Sequence, residues 1–402
     1  MLPAAGVGHE LWQALELSFG MAWEILWALV LGFVLTAVVQ ALVSKRTIER
    51  ALADDSPRSL ANAAALGAAS SSCSYAAVAL ARSLFRKGAD FTAAIAFQIA
   101  STNLVIELGI AIAIVLGWQF TLGEFVGGPI MIVLLALLFR RFLSRRRVAE
   151  AREQAELGRA GSMEGHAAMD MSVAGEGSAW RKLRSPAGFT ATSHVYVMEW
   201  AAVLRDVVIG LLIAGALAAW VPDSWWQGIF LDSHPQLAKL WGPLVGPLVA
   251  ILSFVCSVGN VPLAAVLWNG GISFGGVIAF IFADLIILPI LDIYRRYYGR
   301  PMAGFLLWTQ YTTAAAAGLV VGYAFEALGL VPSERNAKVE TGSTAVGWNV
   351  TTVLDLVAIA VSAVLVWRFF ATGGGAMLRA MNGPADGAHD HQHHHHDHAH
   401  SH

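Results

Sequence analysis

Long apolar windows dominate the chain, at roughly 21–43, 59–85, 89–117, 124–143, 195–221, 241–268, 272–293, 302–328 and 347–369. Each approaches or exceeds the ~20 apolar residues that cross a bilayer as a helix. The pattern predicts an all-α polytopic membrane protein. Residues 9–20 (HELWQALELSFG) read as an amphipathic lead-in with Trp12 and leucines on one side. The windows fall into two halves, 1–143 and 191–370, the second carrying one additional final helix. A polar linker, 144–190, separates them, and a His-rich tail, 371–402, follows.

Two windows are interrupted. GAASSSCSYAAVAL (67–80) and SFVCSVGNVPLAAVL (253–267) place Ser, Gly, Asn and Pro where a spanning helix would be uniformly apolar. Non-helical backbone at membrane depth survives only when it is buried in protein or lines a wet cavity. Charge supports a hairpin reading. The basic clusters Lys45/Arg46/Arg50, Arg140/Arg141/Arg145/Arg146/Arg147 and Arg295/Arg296/Arg300 belong on the cytoplasmic side. Nine full crossings would put 140–147 outside, whereas the conflict disappears if 59–85 and 241–268 enter and return on one side. The expectation is therefore about seven full spans plus two hairpins, with nine full spans as the alternative.

An ungapped offset of 183 residues pairs Cys73-Ser74 with Cys256-Ser257, Leu80-Ala81 with Leu263-Ala264, and Gly88 with Gly271. It also pairs Phe91 with Phe274, and Ile95-Ala96-Phe97 with Ile278-Ala279-Phe280. With one hairpin entering from each face, the halves form an inverted repeat, an arrangement built around discontinuous helices that meet near the midplane.

Composition agrees with this picture: 56% of the residues are hydrophobic and 13% charged, against about 25% charged in a soluble domain. A net charge of −2 gives no reason to expect a nucleic-acid partner. Two cysteines in 402 residues make no disulfide framework. The N-terminus shows no basic n-region, so the first helix reads as a permanent anchor. No GxxxxGK[ST] P-loop occurs. No cofactor motif is recognised, and the placement of His9, His194 and His234 at the N-terminus and membrane edges argues against an enzyme with a Cys or Ser nucleophile.

The candidate chemistry sits at the interruptions. Cys73 and Cys256 supply soft thiolate donors that suit Cu(I), Zn or trivalent arsenic-type species. Ser72, Ser74, Ser257 and Asn260 add hydroxyl and amide groups beside them, and Ser101 and Asn103 follow in the next segment. These hydroxyls can equally cap broken helices, and Pro262 reads as a helix terminator or kink. Intramembrane carboxylates mark function by default, so Glu107 and Asp284 are candidate proton carriers, while Asp292 reads as an interfacial partner of Arg295 or Arg296. In the linker, His166, Met169 and Met171 form a small soft-metal set. The tail carries His389, His391, His393, His394, His395, His396, His398, His400 and His402, broken by Asp, Gln, Ala and Ser; such a tract binds Zn²⁺, Ni²⁺ or Cu²⁺, unless it is an appended tag. Linker and tail are both expected in the cytoplasm, with the chain in the plasma (inner) membrane and the lipid bilayer as its solvent.

The stretches SSSCSYAAVALARSLFRKGADFTAAIAFQIAS and CSVGNVPLAAVLWNGGISFGGVIAFIFADLIILPILDIYRRYYG resemble the predicted permeases that include organoarsenical-efflux permeases and related copper/zinc exporters. The resemblance implies efflux of a soft metal or metalloid, with Cys73 and Cys256 matching the cysteine of the family's Cys-Ser motif and Pro262 its following proline. Ser71 and Phe254 stand where a second cysteine is expected in each motif, and Ala79 replaces the first-repeat proline; fewer thiols weigh against trivalent arsenic. The function expected is a secondary permease coupled to an ion gradient, with a metal or small-ion channel on the paired hairpins as the alternative.

Overall fold

A computed structural model describes residues 7–42, 52, 54–70, 74–86, 88–156, 179–221, 229–230, 234–253, 257, 259–335, 337, 347, 350–376 and 378. Among them the regular structure is entirely helical. The first half contains α1 (Val7–Leu42), α2 (Pro57–Ser70), α3 (Ser74–Arg86), α4 (Phe91–Asn103), α5 (Ile106–Val115) and α6 (Trp118–Phe142). Two connecting helices follow, α7 (Arg145–Glu156) and α8 (Ala179–Arg184). The second half contains α9 (Pro186–Trp220), α10 (Pro235–Ser253), α11 (Asn260–Asn269), α12 (Phe274–Ile281), α13 (Leu288–Tyr298) and α14 (Arg300–Ala327), with α15 (Val350–Ala371) last.

Helix length separates two classes. At ~1.5 Å per residue, α6 is about 37 Å long and α15 about 33 Å, enough for a hydrocarbon core of about 30 Å. The helices α2, α3 and α11 reach only about 15–21 Å. None of the three can cross alone. By length and hydropathy Trp118–Phe142, Gln236–Ser253 and Thr351–Ala371 qualify as spans, and two bent pairs raise the number to five among the described residues. The helix α10, which begins before the 241–268 window and ends inside it, is thus long enough to cross by itself, a feature that the nine-span alternative shares.

The sequence expectations need three adjustments. The lead-in 9–20 is not separate but continues into α1, which bends by 44° between Trp23 and Ile25. The apolar window 89–117 is two helices, α4 and α5, bent by 41°, and 272–293 is likewise divided between α12 and α13. Apolar composition hides such breaks, because a buried residue needs the same side chain whether its backbone is helical or extended. Finally, the start of the linker forms α7, with Ala151 and Ala155 fully buried.

The broken helices lie inside. Every residue of α4 and α12 is buried, as are Asn260–Trp268 of α11. The long helices surround them and expose apolar side chains such as Leu137, Leu248, Val357 and Trp367, as a lipid-facing surface requires. Close helix contacts use glycine. A Cβ on Gly275 of α12 would lie 2.4 Å from the Gly318 carbonyl oxygen of α14, and one on Gly318 would lie 2.4 Å from that of Gly275. This small-residue contact is how helices approach when no hydrophobic driving force distinguishes protein from lipid.

Candidate functional site

The interrupted segments meet. Ser74 opens α3, and its Oγ accepts a hydrogen bond from the Ser257 backbone N–H at 3.4 Å. The two serines are 183 residues apart, so the contact joins positions that the sequence offset pairs. The same Oγ donates to Asp284 Oδ2 at 2.8 Å. Pro262 lies in the first turn of α11, where its missing N–H costs nothing.

Asp284 lies in the irregular stretch between α12 and α13, while Asn103 ends α4 at the corresponding break of the first half. Neither following helix has a side-chain cap: α5 begins after Val105 and α13 after Ile287 without one. Their first N–H groups therefore add positive potential close to these polar residues. The long helix α6 receives both breaks. A Cβ on Gly128 would come within 2.4 Å of Leu104, and one on Gly127 within 2.7 Å of Phe282. Pro129 follows, removing one N–H from the ladder of the same helix.

One turn before that notch stands Glu124, fully buried and within electrostatic reach of Asp284. Sequence reasoning missed it. It falls at the start of an apolar window, but an acidic residue three positions ahead of Gly-Gly-Pro was a signal. Ser74, Asn103, Glu124, Asn260 and Asp284 are all completely buried. Both polar atoms of Asn103, both of Glu124, both of Asn260, and Asp284 Oδ1 have no hydrogen-bond partner among the described residues. Asn103 and Thr102 approach the Asp284 carboxyl, but Asn103 does so without hydrogen-bond geometry. A buried polar atom left unpaired costs about 1–3 kcal/mol, so these atoms are the places in the cluster with hydrogen-bonding capacity to spare among the described residues.

A second polar layer adjoins the first. Tyr294 Oη accepts from Gln98 Nε2 and from Gln310 Nε2, the latter at 3.3 Å. All three side chains are buried, and Tyr294 lies within electrostatic reach of Asp284.

Other candidate residues lie elsewhere. Ser101 donates to the Gln98 carbonyl within its own helix, at the point where Gly67 of α2 packs against Phe97 and Ala100. Glu107 is on α5 against α1: a Cβ on Gly32 would fall 2.6 Å from Glu107 Cγ. It thus packs against α1, whereas the Asp284 carboxyl meets Ser74 of α3. Asp292 pairs with Arg295 at 2.6 Å and with Arg296, as the sequence suggested. Ser72, Cys73, Cys256, His166, Met169, Met171 and the tail histidines lie outside the described residues. Among the described residues, no three His, Cys, Asp or Glu side chains gather as a metal site.

A cavity of about 460 Å³ opens at the N-terminus of α12, lined by Trp268, Ser273, Phe274, Tyr323, Glu326 and Arg335, among others. It is distinct from the polar cluster. At its wall Phe120 packs against Trp268 at 5.0 Å and Phe274 at 4.6 Å, and Phe274 stacks on Phe325 at 5.3 Å.

Residues 10–323 match the sequence model of a family described as predicted permease. A Mycobacterium tuberculosis (strain ATCC 25618 / H37Rv) protein named "Putative permease Rv2963" is 62% identical over 349 residues, covering 87% of this chain and 86% of the relative. No solved structure matches the chain.

Proposed function

Because the chain belongs to the predicted permease family, we propose that it is a secondary permease that exports a soft metal or metalloid across the plasma membrane, driven by an ion gradient. The observation that carries this reading is the hydrogen-bonded chain from the Ser257 N–H through Ser74 Oγ to Asp284. It links the ends of two interrupted segments to a buried carboxyl, beside amides that have spare hydrogen-bonding capacity.

In this reading the two halves are an inverted repeat, and the substrate passes where their interruptions touch. Cys73 and Cys256 immediately precede the two serines in contact and supply the soft donors. Ser72, Ser74, Ser257, Asn260 and Asn103 surround the substrate, and Ser101 keeps α2 and α4 in register behind it. Asp284 carries the coupling proton, and Glu124 is its counterpart. Two carboxyls within electrostatic reach resist simultaneous ionisation, so binding of a cation and binding of a proton compete there. Glu107 serves the α1–α5 contact instead. The linker and tail face the cytoplasm, where the histidines, His166, Met169 and Met171 raise the local metal concentration.

Transport into inverted vesicles tests the reading. Wild-type protein is expected to accumulate copper, zinc or a trivalent metalloid in response to a proton gradient, and Cys73→Ser or Cys256→Ser to abolish accumulation at normal membrane levels. Unchanged flux in both variants would remove the thiols from the mechanism.

A further inference from the structure

The turn that joins each interrupted segment to the following broken helix is built twice. After α3, Gly88 adopts φ +105°, its N–H donates to the Phe85 carbonyl, and the Ala89 N–H donates to that of Leu84. After α11, Gly271 adopts φ +110°, its N–H donates to the Trp268 carbonyl, and the Ile272 N–H donates to that of Leu267. Only glycine takes such a φ without strain. An arginine then fastens each turn. Arg152 of α7 donates to the carbonyls of Phe85 and Ala89 at 2.5 and 3.2 Å, with its guanidinium 4.1 Å from the Phe85 ring centre. Arg335 donates to the carbonyls of Trp268 and Ile272, both at 3.3 Å, with its guanidinium 5.0 Å from the Trp268 ring centre.

Every member of one set lies 183 residues from its counterpart, the arginines included. The aromatic and aliphatic partners differ between the sets, so what recurs is the function of the arginine: a cation bridging one carbonyl in the last turn of a helix, where the dipole is negative, and one in the turn beyond it. The turns do not need it for capping, since the glycine already closes each one. Each arginine comes from the chain leaving the last long helix of its own half, α6 or α14. It thus ties the end of an interrupted segment to the chain that follows that long helix.

A different second tie accompanies each arginine: near Arg335, Asn269 at the end of α11 donates to the Ala337 carbonyl and accepts from the Ala337 N–H, both at 3.0 Å. Beside Arg152, the buried Arg82 of α3 donates twice to the Ala155 carbonyl of α7, at 3.2 and 2.7 Å. Its repeat position in α11 is Ala265, which can make no such tie. Beside Arg335 lies the cavity of about 460 Å³.

We propose that Arg152 and Arg335 are positioning residues for transport, each latching one end of the molecule closed, so that opening at one end requires its latch to release while the other holds. The proposal rests on the permease reading above. By the charge of the neighbouring 140–147 cluster, Arg152 is the cytoplasmic latch and Arg335 the outer one.

Hydrogen exchange of the full-length protein in nanodiscs, followed at amides 84–93 and 267–276, tests the coupling without any cargo. Arg335→Ala should speed exchange at 267–276 by at least about fivefold, a typical coupling, and slow it at 84–93; Arg152→Ala should do the reverse. Arg152→Lys and Arg335→Lys, which keep the charge but not the two-carbonyl fork, should shift both turns in the same senses by less. Loosening confined to the mutated turn, or at both turns together, overturns the proposal and leaves the arginines as local clamps. If an alanine variant fails to insert, the lysine pair carries the same reciprocal readout. Absence of metal or metalloid flux in wild-type vesicles would count against the permease reading alone, since the reciprocity is read separately.

Discussion

Ser74 illustrates how much one hydroxyl does in a dry site. It accepts from the Ser257 N–H and donates to Asp284, so Ser74→Ala leaves both groups without that partner. The expected cost is about 1–3 kcal/mol of stability, read as a lower melting temperature, with Ser74→Thr recovering part of it. Asp284→Asn keeps the shape of the side chain but cannot ionise. Wild-type flux should rise with an inward proton gradient and the Asn variant should be flat; Glu124→Gln should also blunt the response, whereas Glu107→Gln should leave it. Persistence of the gradient response in both Asp284→Asn and Glu124→Gln would reject a carboxyl carrier at this site. Asp284 was legible in the sequence as a costly intramembrane carboxylate. Its partners were not, because Ser74, Asn103 and Glu124 come from three helices separated by long stretches of chain.

At the scale of elements, the interior is made of short helices and the exterior of long ones. Breaks at 104–105 and 282–287 converge on Gly127 and Gly128 of α6, which lack the side chains that would keep Leu104 and Phe282 away. Packing across α12 and α14 has no slack, since the Gly275 and Gly318 carbonyls already occupy the space of each other's missing Cβ. Gly275→Ala should therefore force the helices apart and destabilise by about 1–3 kcal/mol, measured by thermal unfolding in detergent. An equal melting temperature for Gly275→Ala and wild type would contradict this packing. The hydrophobic windows foretold where helices lie but not the breaks within 89–117 and 272–293, because the few polar residues there, such as Ser101, Asn103 and Asp284, are of types that also occur within unbroken buried helices and no period changes at the bend.

For the whole molecule, membership of the predicted permease family and an apolar outer surface agree on a protein that works within the bilayer. The reading given to its tail can be tested at this scale. Deleting 389–402 should lower flux only when metal is scarce and leave the maximal rate unchanged, since a tethered histidine tract raises local concentration without forming part of the path. A fall in maximal rate would instead make the tail part of the machinery.

The amino-acid order by itself determined that the chain is helical and membrane-embedded, because hydropathy over a window measures solvent preference directly. It also showed the offset that pairs Ser74 with Ser257 and Gly88 with Gly271, since those identities can be compared along a line. Only the tertiary structure decided that the two serines touch, that Glu124 joins Asp284, and that Arg152 and Arg335 fasten equivalent turns. The reason is physical. Burial, hydrogen bonding and electrostatic reach depend on distances across the fold, and in this chain the groups concerned approach from separate helices whose packing no local pattern encodes.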